Sequence, residues 1–500
     1  MIVSAAVRAY PGLVCAFVSV ASVSAAQTTP AAKTTIAVGD FELSPEMEVR
    51  TRAEYRQNPV DMGGFGTPYV QGPWAVMERT RIGLGADRGP LRAKVTFQDA
   101  RVWGSDAPIP PLTSPFASTG VYEAFIEIHT TDPATTKPTT TQYIRVGRQA
   151  IVWDGGRLLG NADFSPVART LDAVRAHAGW KSLDFEAFAA ILDEAAPVGI
   201  GFGDPTNPPP SGYAGGSQLY GALASLTLDP LFRAQIYELV RPATTSIASE
   251  GLPPGLAQSP FALSRALGDN WTSALGISGD SKGWKYGVTG ALQLGKIGAC
   301  NVCVQRTAAL DRLAYAVAFD ISRTFDGVVL TPTVKIGAAY ASGGQSGTQY
   351  NQFDPLYPDV QVNHGLLGAF AWSNILEVHG AVSVVPIADF RVTAEYRYAR
   401  VADNTTGEWL DTYLGTAGTT QNNNIASQEL GHEVDLLVSY RPWPALNIAA
   451  GYSLLILGDG AKSMLLADGR TSPNSTGVLV PPDLSHYAFV QLTLNVPARP

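Results

Sequence analysis

The sequence predicts an all-β fold, a transmembrane antiparallel up-and-down β-barrel of about 18 strands with short periplasmic turns and long extracellular loops. Three observations predict it: strict alternation of charged and apolar side chains, regular alternation of short and long connections, and a composition that disfavours helices. Among 500 residues only 16% are charged, whereas there are 50 glycines, 35 prolines, 19 tyrosines and 9 tryptophans. Glycine, proline and aromatic residues favour turns and strands.

The alternation is clearest in MEVRTRAEYR (47–56). Met47, Val49, Thr51, Ala53 and Tyr55 share one face, and Glu48, Arg50, Arg52, Glu54 and Arg56 share the other. A helix would scatter these charges around its axis, whereas a strand separates them. LRAKVTFQ (91–98) and FRVTAEYRY (390–398) repeat the split, and HEVDLLVSY (432–440) sets Glu433 and Asp435 opposite Val434, Leu436, Val438 and Tyr440. Strands of this kind are expected near 46–56, 75–87, 91–103, 120–130, 141–151, 170–181, 183–193, 217–228, 231–241, 270–279, 284–295, 311–322, 328–341, 374–385, 389–401, 430–441, 445–457 and 485–496.

The links between them alternate in length. DRGP (87–90), DP (229–230), PIAD (386–389) and PWPA (442–445) are short, TDPATTKPTT (131–140) is somewhat longer, and every other junction is long. Short turns on one rim and long loops on the other describe a membrane barrel with both termini in the periplasm. A soluble β-sandwich would also alternate but gives no cause for the loop asymmetry. Closure also pairs every backbone group in the hydrocarbon, which an open sheet does not. The last strand, HYAFVQLTLNV (486–496), stops four residues before the C-terminus, without the terminal aromatic residue common in such barrels.

Residues 1–26 read as a secretion signal: Arg8 supplies the charge, 13–23 the apolar run, and Ser24-Ala25-Ala26 small residues for cleavage. Cys15 follows Val14, where a lipid-attachment box wants a small residue. Residues 27–45 are expected as a periplasmic segment and 46–496 as the barrel. Cys300 and Cys303 form a CxxC in GACNVCVQ, with no second Cys/His pair nearby. The motif is open to redox or half-zinc readings, but a small loop disulfide suits an exported protein better.

In a membrane barrel the apolar face meets lipid, where a charge costs ~2–4 kcal/mol near the midplane, so the charged faces line the lumen. The pore-lining candidates on strands are Arg50, Arg52, Arg79, Arg81, Arg92, Arg145, Glu395, Arg397, Glu433 and Asp435. Mixed signs allow simple cross-strand pairing. Alternatively, the density of arginine over lysine in the N-terminal third suits a filter for carboxylate or phosphate groups. With 35 Lys+Arg against 43 Asp+Glu, a formal charge of −8, the chain lacks the basic footprint of a nucleic-acid binder. It contains no HExxH, no GxSxG and no glycine-rich loop ending in Lys-Ser/Thr, so neither an enzyme nor a cofactor is expected.

GRQAIVWDGGRLLGNADFSPVARTLDAVR (147–175) resembles the alginate export porin family, with its GRQ strand end, glycine-acidic-arginine turn and Arg-x-x-Asp on the next strand. FQDARVWG (97–104), FDPLYP (353–358), WSNI (372–375) and GHEVDLLVSY (431–440) agree in order, and the resemblance spans 41–496. Asp154 departs from the pattern, being followed by two glycines, and Val167-Ala168 replace a more polar stretch. The resemblance implies an outer-membrane barrel, monomeric and surrounded by lipid, whose arginine-lined lumen passes an anionic exopolysaccharide outward and is plugged at rest. A periplasmic polysaccharide export protein would be its partner. It also implies that Arg148, Arg157, Arg169 and Arg175 lie near the narrowest part with Asp154 and Asp172. Arg148 and Arg169 would touch sugar carboxylates, with Asp172 orienting them. An uptake porin for small anions or sugars, and a plugged barrel acting only within an export complex, are the alternatives.

Overall fold

The computed structural model describes residues 35–57, 74–104, 119–131, 138–192, 218–243, 268–298, 309–359, 361–410, 416–419, 425, 427–467, 472–473 and 479–497. The signal-like segment and the Cys300/Cys303 motif lie outside them.

Eighteen long strands follow one another: β1 Phe41–Gln57, β2 Trp74–Arg88, β3 Leu91–Val102, β4 Thr119–Thr131, β5 Pro138–Gln149, β6 Leu171–Trp180, β7 Leu183–Ile191, β8 Gln218–Asp229 and β9 Phe232–Arg241. The second half comprises β10 Asn270–Ser281, β11 Trp284–Ile297, β12 Leu310–Thr324, β13 Thr333–Ala341, β14 Ile375–Ile387, β15 Phe390–Val401, β16 Glu429–Trp443, β17 Leu446–Leu457 and β18 Leu484–Val496. Each pairs antiparallel with the next, and β18 pairs with β1 from Met47 opposite Val496 to Gln57 opposite His486. The sheet is therefore a closed 18-stranded barrel. The thirteenth expected strand, 328–341, begins only at Thr333; residues 325–332 form a turn whose Val328, Val329 and Leu330 look strand-like by composition alone.

Alternation sorts the side chains as the pattern requires. Glu48, Arg50, Arg52 and Glu54 on β1 and Arg79 and Arg81 on β2 are buried inside, while Ile82, Ile126, Ile144 and Val146 face outward. The interior itself is chemically divided. On β10–β13 the inward residues are largely alanine: Ala274, Ala291, Ala314, Ala316, Ala318, Ala339 and Ala341. On β1–β5 and β14–β16 they are largely arginine, glutamate and aspartate.

Two long loops fill this space, 150–170 between β5 and β6 and 342–374 between β13 and β14. Their Ile151, Trp153, Leu158, Leu159, Phe353, Tyr357, Phe370 and Trp372 join the wall alanines in one buried cluster. Small wall residues leave room for the large loop side chains, which together form the packed core of the molecule. The loops also bond to each other: Tyr357 N–H donates to Leu158 O at 2.9 Å, Gly160 N–H to Tyr357 O at 2.8 Å and Asp359 N–H to Gly156 O at 2.8 Å. Gly156 has φ 77 and lies against the Asp359 carboxylate, a place that admits no side chain. A helix, α1 (Asp459–Ala467), lies in the loop between β17 and β18 and adds Met464 and Leu465 to the cluster.

A charged lumen closed by two inserted loops

The first loop reaches the basic side of the wall through its own backbone. Arg50 donates to Asp163 O and Ser165 O, both at 2.6 Å, and Arg52 donates to Phe164 O at 2.7 Å. The Asp163 carboxylate then meets three guanidinium groups, Arg79 at 3.0 Å, Arg81 at 3.0 Å and Arg50 at 4.0 Å. Arg79 also grips Glu48 at 2.5 Å, and Arg81 donates to Gln98 at 2.8 Å while lying 3.6 Å from the Tyr122 ring centroid. Burial pushes the Asp163 carboxyl upward, but Arg79, Arg81 and Arg50 outweigh it and hold the group well below the usual carboxylate range. Asp163 is thus a permanent anion inside an arginine cluster.

The second loop meets the acidic side with the opposite polarity. Leu366 N–H donates to Asp435 Oδ2 and Leu367 N–H to Glu433 Oε1, each at 3.0 Å. Gly365, with φ 93, lets the backbone pass directly over Glu433. Nearby, Arg397 bridges Glu377 at 2.6 Å and Glu395 at 2.5 Å, and His364 of the loop contacts Glu377 at 3.1 Å. Burial lowers the His364 imidazole below its ordinary value despite that carboxylate, so the ring is neutral at pH 7 and donates its Nδ1 proton. Wall cations hold loop carbonyls and wall carboxylates hold loop amides, so each inserted backbone finds charge-assisted partners.

The expected site residues divide into four groups. Arg50, Arg52, Arg79, Arg81, Arg397, Glu395, Glu433 and Asp435 face the lumen and contact or adjoin the loops. Arg92, Arg145 and Arg175 also face inward and pair with wall carboxylates, Arg92 with Asp87 and Glu127, Arg145 with Glu127, and Arg175 with Glu186. Asp154, Arg157 and Arg169 belong to the first loop. Asp154 accepts from Thr289 at 2.8 Å and Tyr237 at 3.2 Å, and Arg157 pairs with Asp320 at 3.2 Å. Arg169 donates to Gly160 O at 3.1 Å, Tyr357 O at 2.6 Å and Pro358 O at 2.8 Å, which makes it a clasp between the two loops.

Arg148 and Asp172 are placed differently from the expectation. They pair with each other through Nε–Oδ1 at 2.8 Å and Nη2–Oδ2 at 2.5 Å. Asp172 stands opposite Ile191, and Arg148 and Asp172 lie two positions from the outward Val146 and Val174 on the same strand faces, so the pair faces away from the lumen at the long-loop end. Strand parity decides this: Arg145 points inward, hence residue 148 points outward. Asp163, which gathers the arginines, was absent from the expected set. It lies in NADF, an irregular stretch whose periodicity marks no face. Asp359 and the Asp354 group near Arg241 and Arg312 lie in the second loop and carry no pattern signal either, whereas Glu377 on β14 and Asp320 on β12 stand on inward strand faces where alternation marks them.

A closed lipid-facing barrel, short turns on one rim and a charged, loop-filled lumen define an outer-membrane β-barrel channel. Residues 41–204 and 257–477 match the Alginate export family, and the chain belongs to that family. Among solved structures it is similar in fold to the outer membrane protein OpdK of Pseudomonas aeruginosa, with a TM-score of 0.50, 10% identity, and coverage of 91% of this chain and 99% of that one. OccD3 (OpdP) of the same organism gives a TM-score of 0.51 at 9% identity, covering 93% of each chain. No curated protein matches the chain by sequence.

Proposed function

We propose that this channel exports an anionic exopolysaccharide across the outer membrane, and that the arginine cluster of Arg50, Arg79 and Arg81 receives the polymer's acidic groups. One observation carries the reading: the cluster already holds a carboxylate, that of Asp163, supplied by a loop rather than by the wall. Sites that coordinate a carboxylate through several guanidinium groups recognise sugar acids by the same chemistry. The loop group is therefore an internal stand-in that a passing polyanion displaces. Arg92, Arg145 and Arg175 continue the cationic track on neighbouring strands, and their paired glutamates keep each step weak enough for the polymer to move on. A periplasmic export protein delivering the chain completes the proposal.

Two measurements test it. Deleting the gene should abolish acidic polysaccharide at the cell surface, and unaltered surface polymer would count against export. In planar bilayers Arg50→Ala/Arg79→Ala should lose most of the anion preference of the native channel. A deletion strain with normal polymer but impaired growth on small anions would transfer the function to uptake.

A further inference from the structure

The connection between β12 and β13 is unlike its neighbours on the short-turn rim. The turns at 89–90, 181–182, 282–283 and 388–389 have two residues each, whereas 325–332 has eight, FDGVVLTP. Phe325, Val328, Val329 and Leu330 are all exposed, Val329 at 86%. The tip is nevertheless fixed. Phe325 N–H donates to Pro332 O at 2.9 Å, Thr331 N–H to Val328 O at 3.0 Å, and Val385 N–H of β14 to Leu330 O at 2.7 Å. Leu330 and Thr331 hold φ 70 and 42, a left-handed conformation that β-branched threonine rarely adopts. A mere connector would not need this shape.

The bond from Val385 sets the height of the tip. It continues the β13–β14 ladder beyond Thr333 opposite Ser383 and holds Leu330 beside Val385, near the end of β14. Below the lipid-facing Val334 and Ile336, the outer wall ends in a cation held between rings. Arg323 lies directly across from Trp284, 5.2 Å from its ring centroid and 5.7 Å from that of Phe325, and donates to Lys282 O. Asp326 of the same turn makes no ion pair with Arg323 among the described residues. Lys181 with Trp180 at 4.9 Å and Arg88 with Phe41 at 5.1 Å repeat the cation–ring pairing around the rim. Aromatic rings with cations mark the headgroup level of a membrane.

We propose that turn 325–332 is a membrane wedge: Val328, Val329 and Leu330 enter the inner leaflet of the outer membrane, and Arg323 binds a phospholipid headgroup phosphate. Two features select lipid as the occupant. The apolar tip is continuous with the lipid-facing wall, and its flanking cation complements a phosphate. The wedge is independent of which polymer the channel carries.

The test uses the full barrel, its native cysteines replaced by serine, in vesicles of phosphatidylglycerol and phosphatidylcholine. A fluorophore on Val329→Cys should be quenched by brominated acyl chains as strongly as one on Ile336→Cys, and not by aqueous iodide. Iodide quenching without bromolipid quenching would overturn the wedge and mark the tip as a protein-docking surface. Arg323→Gln should lower the barrel's preference for phosphatidylglycerol about fivefold, the effect of one interfacial cation. An unchanged preference would overturn the phosphate site. Heat-modifiable migration on gels confirms that each variant is folded.

Discussion

Three guanidinium groups within 4.0 Å of one carboxylate, all enclosed, give Asp163 and Arg79 effects larger than their number of contacts suggests. Removing one member of a buried ionic cluster leaves the others without compensation, typically at ~3–5 kcal/mol. Arg79→Ala, which removes the nearest cation from Glu48 and one of three from Asp163, should therefore lower stability to urea by up to about that amount, as followed by intrinsic fluorescence. Asp163→Asn keeps the shape but frees the arginines, so it should raise resting conductance and strengthen anion preference in single-channel recordings. Asp359 contributes in the opposite sense. Burial lifts its carboxyl to about 6, against the amide of Ala162 and the charge of Arg169, which favour the ionised form. An acid whose folded pKa is raised binds its proton more tightly in the folded state, so its contribution is fullest below the unfolded pKa of ~3.9 and is lost as pH rises through about 6. Hydrogen exchange at residues 156–162 should thus quicken between pH 4 and 6.5 beyond the intrinsic rate change, and Asp359→Asn should abolish the excess. The arginines of this cluster were legible in the sequence because strands betray their faces; Asp163 and Asp359 were not, because irregular loops have no period.

At the scale of elements, the strands and their order followed from alternation, and two starts were misplaced by several residues: the first strand begins at Phe41, inside the segment 27–45 expected to precede the barrel, and the thirteenth at Thr333 rather than 328, where an apolar turn imitates a strand. The insertion of two loops was a different matter. Length alone shows that a loop exists, and only the resemblance implied a plug; nothing local says that 150–170 and 342–374 will share backbone hydrogen bonds inside the lumen. Once formed, that plug has unlike attachments. On the alanine side it is packed, on the acidic side its amides are held by Asp435 and Glu433, and on the arginine side it is held by carbonyls and one carboxylate, which on the proposed function a polyanion replaces. Movement should therefore be confined to 161–165. Joining Phe164→Cys to Phe489→Cys, whose parent rings lie 5.7 Å apart, with a short thiol-reactive linker should hold the channel shut until reduction. The same linker between Asp154→Cys and Thr289→Cys, on the opposite side, should leave polyanion-induced conductance unchanged. Equal block by both links would show that the plug leaves as one body.

Across the whole molecule, the barrel wall carries two chemistries, which on the proposed function divide the labour between closure and selection. The alanine surface of β10–β13 gains stability by burying loop side chains, an effect of ~1.5–3 kcal/mol for each large apolar residue enclosed. On the proposed function the arginine surface of β1–β3 contributes recognition, and its charges tolerate the interior because the loop satisfies them. If the division is real, enlarging one side must not alter what the other selects. Ala318, 2% exposed on β12, faces the plug with no space to spare. Ala318→Leu should overpack that contact by ~1–3 kcal/mol and loosen the plug without touching any guanidinium group. Planar-bilayer recordings should then show more frequent openings with unchanged anion-to-cation permeability, whereas Arg50→Ala/Arg79→Ala should shift the permeability ratio. A change in selectivity from Ala318→Leu would mean that the conducting path runs along the alanine wall, and the polymer would then have to be placed there rather than beside the arginines.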